Sequence, residues 1–302
     1  MKESKDIRVF QRRLVVFSLP VFLAMLVTLG VYLAVKSNVD AKLEKMGAHE
    51  TLIMGDSQMQ RINGKYFSST TKNTASSGEH FYITYNKLKH ILNAQTSRVK
   101  RIVLGVSVHS FAPVYNRMLD LSLSEGKNSW ERYLYFLSSY RVDEPFNIEN
   151  IPVKNTLAGI YKGPDWGGLF ESEHSNPDSA TIERIYTMHF SGKGNAQKIC
   201  ENQRKYLYLI DSLCKANNIA LFLCSTPYHS AYKNRISDKY FDFFHETMNH
   251  FNANQHINFL SEPPNAAWMS DANHLNVEGA AIYSKKIDQI IHERTSESVQ
   301  KE

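Results

Sequence analysis

The chain reads as an α/β protein with a doubly wound parallel sheet, preceded by one membrane-spanning helix. Three observations predict this. Short apolar runs recur at Thr51–Gly55, Arg101–Val108, Ala220–Ser225 and Ile257–Leu260, as in parallel strands covered on both faces. Between them, apolar residues recur at spacings of three and four, the period of helices packed on such a sheet. Ahead of the first run, Leu14 to Val35 contains no charged residue, enough to cross a bilayer core of roughly 30 Å.

Taken in order, residues 1–13 form a basic tail. Lys2, Lys5, Arg8, Arg12 and Arg13 lie there and should hold that end in the cytoplasm. Residues 14–35 are read as an uncleaved signal anchor. A secretory signal has a shorter apolar region of about 7–15 residues and a small-x-small cleavage site, and Val39-Asp40-Ala41 is a weak match beyond Lys36. Lys36, Lys42 and Lys45 oppose the orientation, but Asp40 and Glu44 are interleaved with them. Residues 36–50 are expected to be a short polar helix or stalk. The domain, 51–296, would then face away from the cytoplasm, with 297–302 as a tail.

Within that domain, four helical faces are expected. Phe81, Tyr85, Leu88, Ile91 and Leu92 form the first, and Ile199, Tyr206, Leu209, Ile210 and Leu213 the second. Phe241, Phe244, Met248 and Phe251 form the third, and Ile282, Ile287, Ile290 and Ile291 the fourth. Residues 112–195 break the alternation. Trp130, Tyr133, Tyr135, Phe136, Tyr140, Tyr161, Trp166 and Phe170 cluster in this stretch, and Lys162–Gly168 is rich in turn residues. It reads as an insertion that covers or lines a site mouth. Its aromatics serve as a satellite core, or a few of them stack on sugar rings.

Charge and cysteine content exclude several classes. The net charge of +5 is scattered, with no basic stripe interleaved with aromatics, so nucleic acid is not indicated. Cys200, Cys214 and Cys224 have no framework spacing. A Cys200–Cys214 bridge stays open, and Cys224 reads as a small core residue. The histidines at 245, 250 and 256 lack metal-ligand spacing with a carboxylate partner, so no metal or cofactor is expected. No pair of carboxylates at neighbouring strand ends points to glycoside cleavage.

Two motifs carry chemistry. Gly55-Asp56-Ser57 ends the first apolar run, and Asp271-Ala272-Asn273-His274 sits on a loop before the last helix. Ligand sites in doubly wound sheets lie at the carboxyl ends of strands, where Ser57, Ser107 and Pro227 fall. Ser57 can act as nucleophile, His274 as general base, and Asp271 as the group that orients the imidazole. The bland roles are a helix N-cap for Ser57, a loop histidine for His274 and a turn cap for Asp271.

The two motifs in this order resemble the SGNH/GDSL hydrolase superfamily over roughly residues 50–295, with a poor match in the middle third. The resemblance implies a three-layer, flavodoxin-like fold and a Ser57–His274–Asp271 triad. It also implies an oxyanion hole drawing on the backbone N–H of Ser57 and a glycine of a second block, here Ala75-Ser76-Ser77-Gly78, so Gly78. The family's third donor is an asparagine in a Gly-x-Asn-Asp block. This chain reads Gly105-Val106-Ser107-Val108 there, so Ser107, or else His109, is expected to substitute. Asp56 is expected to brace the turn through backbone N–H groups.

With the anchor, the layout is similar to the alginate-acetylation and D-alanyl-lipoteichoic-acid transfer proteins. That similarity implies a serine esterase or O-acyltransferase on acyl esters of an envelope glycan. It further implies single-pass placement in the bacterial cytoplasmic membrane, and a membrane-bound acyltransferase as a possible partner. The alternatives are a lipid-directed esterase, a lipase or lysophospholipase, and an inactive glycan-binding or assembly protein.

Overall fold

Among the described residues, five parallel strands form one sheet in the order β2-β1-β3-β4-β5. They are β1 (Thr51–Met54), β2 (Thr71–Asn73), β3 (Arg101–Gly105), β4 (Ala220–Ser225) and β5 (His256–Asn258). The computed structural model describes residues 2–94, 97–136, 151–162, 168, 177–191, 198–262 and 265–299. Strand order reverses direction between β1 and β3, which pair with Thr51 opposite Arg101 and Met54 opposite Leu104. That is the switch point at which open α/β sheets place their ligands.

Side chains alternate cleanly between the two faces of the sheet. Leu52, Met54, Ile102, Leu104, Leu221 and Leu223 enter one buried cluster, while Ile53, Val103, Phe222, Cys224 and Ile257 enter the other. A strand's period of two sends neighbours to opposite faces, so apolar runs without alternation bury both. The sheet is therefore the middle of three layers. On the first face lie α3 (Phe81–Leu92), α8 (Glu201–Ala216), the short α9 (Ser230–Lys233) and α10 (Asp238–Met248); on the second lies α11 (Val277–Val299).

The helical faces are the expected ones with adjustments. Leu88 and Ile91 of α3 are fully buried, as are Ile210 of α8, Phe244 of α10 and Ile287 of α11. Leu209 is 36% exposed; Leu207 and Cys214 take the inward positions on α8 instead. Cys200, Cys214 and Cys224 are all free thiols, so the Cys200–Cys214 bridge is not formed. Strand β2 is an addition to the expected set.

The N-terminal helix, α1 (Lys2–Gly47), is continuous through both the apolar run and the segment expected as a polar stalk. From Ile7 onward it is long and apolar enough to cross a membrane. Its last three turns are not a free stalk: Val39, Leu43 and Met46 are buried in the cluster with Leu88 and Ile91 of α3. Gly47 lies against Ile91 and Ser97, so α1 and α3 end together. A three-residue turn then reverses the chain into β1. Followed backwards from Gly47, α1 thus runs toward the carboxyl ends of the strands and leaves the domain at that end.

The insertion after β3 contains no strand among the described residues. It holds α4 (Val114–Arg117), α5 (Ser124–Tyr133), α6 (Val153–Lys162) and α7 (Ser179–Phe190). Trp130, Tyr133 and Phe136 are buried in the main cluster rather than in a satellite core. Tyr161 is exposed. Tyr140, Trp166, Phe170 and the 163–167 turn lie outside the described residues.

Candidate active site

Ser57 is the first residue of α2 (Ser57–Gln60), directly after the turn that closes β1. The turn needs its glycine. Gly55 has φ +118°, and a Cβ there would come within 3.1 Å of the Gly105 backbone nitrogen on β3. An L side chain rarely adopts that φ. Asp56 caps α2, its Oδ1 accepting the Gln58 N–H at 3.0 Å. The N-cap role considered for Ser57 thus falls to Asp56, and Ser57 is left partly exposed.

Ser57 Oγ lies 2.7 Å from His274 Nε2. His274 Nδ1 lies 2.8 Å from Asp271 Oδ2 and 2.9 Å from Oδ1. The same carboxylate accepts the backbone N–H groups of Asn273 at 3.0 Å and His274 at 2.9 Å, so a four-residue loop holds base and acid in register. Burial pushes the Asp271 carboxyl up, but the hydrogen bond and charge of His274 and the two N–H groups outweigh it and leave it below the usual range. Asp271 is therefore ionised at neutral pH. With a carboxylate on Nδ1, that nitrogen carries the proton, and Nε2 presents its lone pair to the Ser57 hydroxyl. The loop is tied to the serine's own helix, since Gln58 Nε2 donates to the Asn273 carbonyl at 3.0 Å.

The second block packs beside the first. Ser76 N–H donates to the Gly55 carbonyl at 3.0 Å, and Gly78 takes the left-handed region at φ +64°. Helix α5 grips the same loop, with Arg132 Nη1 at 2.9 Å and Tyr133 OH at 3.0 Å from the Ser77 carbonyl.

The structure gives Ser107 a different task from the one expected. Its side chain is fully buried, and its hydroxyl donates to Gln58 Oε1 at 2.9 Å. Because Gln58 Nε2 is already directed at Asn273, the amide's orientation is set and its oxygen faces Ser107. The Ser107 proton is thus committed to Gln58 rather than free for an oxyanion. His109 is closed off in the same way. Its Nε2 donates to Asp56 Oδ2 at 2.8 Å and its Nδ1 meets Tyr228 OH at 2.8 Å.

Asp56 does more than brace the turn through Gln58. Its Oδ2 also accepts Tyr115 OH at 3.0 Å. Burial raises this carboxyl, yet the charge and hydrogen bond of His109, the Gln58 N–H and the Tyr115 hydroxyl bring it down to about 2. Behind it, the His109 ring lies 5.0 Å from that of His189 on α7, whose Nδ1 meets Tyr232 OH at 2.6 Å. Burial, aided by nearby His109 and His274, holds His189 far below its ordinary value and hence neutral. These partners of Asp56 were not apparent in the sequence, where no motif joins them.

Among the described residues, no group of three or more His, Cys, Asp or Glu side chains is placed to hold a metal ion. No protein-family model and no curated protein matches the chain. Among solved structures it is similar to a protein provisionally described as a platelet activating factor from Streptococcus pneumonia. The two are 12% identical, with 89% of this chain and 98% of that chain covered, at a TM-score of 0.38. A likeness at that score carries no argument about activity, so the chemistry rests on the residues themselves.

Proposed function

We propose that the protein is a membrane-anchored serine esterase or O-acyltransferase of the SGNH/GDSL type, acting on acyl esters of a cell-envelope glycan outside the cytoplasm. One observation carries the reading: the continuous hydrogen-bonded line Ser57 Oγ–His274 Nε2, His274 Nδ1–Asp271, at the strand-end switch point of a parallel sheet. The strand order and three layers agree with the fold that the motifs imply.

In this mechanism Ser57 Oγ attacks the acyl carbon while His274 Nε2 takes its proton. Asp271 holds the imidazole in the required tautomer and stabilises the imidazolium. The carbonyl oxygen becomes an oxyanion, and the backbone N–H groups of Ser57 and Gly78 are the assigned donors. Collapse expels the alcohol, which leaves with the proton from His274 and a Ser57 acyl ester behind. Water or a glycan hydroxyl then attacks that ester, His274 again taking the proton and passing it to Ser57 Oγ as the acyl group leaves, which restores the free serine. A membrane-bound acyltransferase as supplier of the acyl group is part of the proposal.

A second reading, a lipid-directed esterase, draws support from the course of α1. The apolar helix leaves the domain at the same end of the sheet that carries Ser57.

The test is Ser57→Ala in the full chain. Turnover of a nitrophenyl acetate ester should fall by about a thousandfold or more, and a fluorophosphonate probe should label the parent but not the variant. Equal turnover and labelling in both would reject the proposal. Release of acetate from an acetylated polysaccharide, compared with fatty acid from a phospholipid, separates the two substrate classes.

A further inference from the structure

Helix α6 turns an apolar face outward. Asn155 and Thr156 are half-buried toward α5, while Lys154 and Lys162 stay exposed. Asn155 Nδ2 and Lys162 Nζ donate to Glu131 at 3.1 and 3.2 Å, and Trp130 Nε1 donates to Thr156 Oγ1 at 2.9 Å. Gly159 permits this close approach, since a Cβ there would lie 2.6 Å from the Glu131 carbonyl oxygen on α5. The apolar residues face outward. Val153, Leu157 and Tyr161, four apart and so on one face, are 70%, 42% and 54% exposed, and Ile151 just before the helix is 37% exposed.

The position of α6 says what covers that face. It packs against α1, where Tyr161 OH meets Thr28 Oγ1 at 3.4 Å. Next to it, Tyr32 of α1 stacks on Tyr135 with ring centroids 5.5 Å apart. Thr28 and Tyr32 lie in the last two turns of the uncharged run 14–35, which at 1.5 Å per residue is roughly the final 10 Å of a span. The exposed face of α6 is thus continuous with the exposed apolar surface of α1, at the depth where a bilayer passes from acyl chains to headgroups. Tyrosines with one apolar and one polar end gather at that boundary, and here Tyr32, Tyr135 and Tyr161 do so. Lys154, also exposed, sits where anionic headgroups would meet it.

We propose that α6 is a second, non-spanning membrane element, lying in the headgroup–acyl boundary beside α1 with Val153, Leu157 and Tyr161 in lipid. A helix so placed buries its apolar face by roughly 5–10 Å. Through α5, which holds α6 and also binds the Ser77 carbonyl, the lipid surface is connected mechanically to the loop carrying Gly78. The mouth above Ser57 then opens at the membrane surface. The inference rests on α1 crossing the bilayer.

The full chain in phospholipid nanodiscs, spin-labelled at single introduced cysteines, tests it. The natural cysteines are buried, and the parent chain supplies the background. Phe22→Cys reports the span, Val153→Cys and Leu157→Cys report α6, and Asn254→Cys reports the far end of the sheet. Oxygen partitions into lipid and a nickel chelate into water. The oxygen-to-nickel accessibility ratio at Val153→Cys and Leu157→Cys should exceed that at Asn254→Cys several-fold and approach that at Phe22→Cys. A lipid signal at Phe22→Cys with an aqueous one at both α6 sites overturns the inference while sparing the anchor. An aqueous signal at Phe22→Cys overturns the anchor and the inference together. Shielding from both reagents at the α6 sites would mean a protein partner on that face, and overturns lipid as its occupant.

Discussion

Gln58 joins two halves of the candidate site, accepting from Ser107 and donating to the loop that carries His274. Ser107→Ala should therefore act through stability and alignment. The Gln58 oxygen loses a buried donor, a cost of roughly 1–3 kcal/mol, visible as a lowered Tm. Were Ser107 an oxyanion donor, kcat would fall by about a hundred- to a thousandfold; with its proton on Gln58, the fall should stay below about tenfold. Asp56 gives a prediction in pH. Its folded value of about 2 lies below the ordinary 3.8, so its ionised form stabilises the fold above pH 3.8, and that contribution is lost as pH falls toward 2. The shift corresponds to roughly 2 kcal/mol. Asp56→Asn should lower stability at neutral pH by at least that order and flatten the acid limb between pH 4 and 2 in chemical-denaturation titrations. An unchanged limb would remove Asp56 from the account. Ser57, Asp271 and His274 were legible because two short motifs in chain order name them. The Asp56–His109–Tyr228 network was not, because its members lie 53 and 119 residues apart and only the fold brings them together.

Elements were legible to the degree that their burial wrote a pattern. Strands β1, β3 and β4 are buried along nearly all their length, and unbroken apolar runs announced them. Strand β2 was not, because Thr71-Lys72-Asn73 is an edge strand with only Asn73 buried, and polar residues suffice there. The segment 36–50 misled for a related reason. Lys36, Asp40, Lys42, Glu44 and Lys45 dominate its composition, yet Val39, Leu43 and Met46 make a stripe at spacings of four and three. That stripe carries a prediction. A chain beginning at residue 36 should keep the domain's fold, whereas one beginning at residue 48 uncovers three buried side chains worth about 1.5–3 kcal/mol each. Leu43→Ala in the full chain should cost about 2–5 kcal/mol. Thermal melts of the three proteins decide; equal Tm values for the chains starting at 36 and 48 would mean that α1 adds nothing below the span.

For the whole molecule, a spanning α1 raises the question of which way the chain would cross the bilayer and which end of the sheet would meet it. Five basic residues, Lys2, Lys5, Arg8, Arg12 and Arg13, precede the uncharged run, against three, Lys36, Lys42 and Lys45, that follow it closely. Positive residues resist translocation, so the orientation proposed above keeps the tail in the cytoplasm and the sheet outside. Helix α1 departs at the strands' carboxyl ends, so in that orientation the Ser57 end of the domain would face the membrane, and the opposite end, with Glu50, Lys100 and Asn254, would face away. An alkaline phosphatase fused after Glu302 should be active, because that enzyme folds only outside the cytoplasm. Moving the five basic residues of the tail to neutral ones while leaving Lys36, Lys42 and Lys45 in place should reduce that activity by weakening the bias. The fusion separates orientation from chemistry. An inactive phosphatase with Ser57 still labelled by a fluorophosphonate would leave the nucleophile standing but place it in the cytoplasm, where an envelope glycan is out of reach and a lipid ester of the inner leaflet becomes the substrate to pursue.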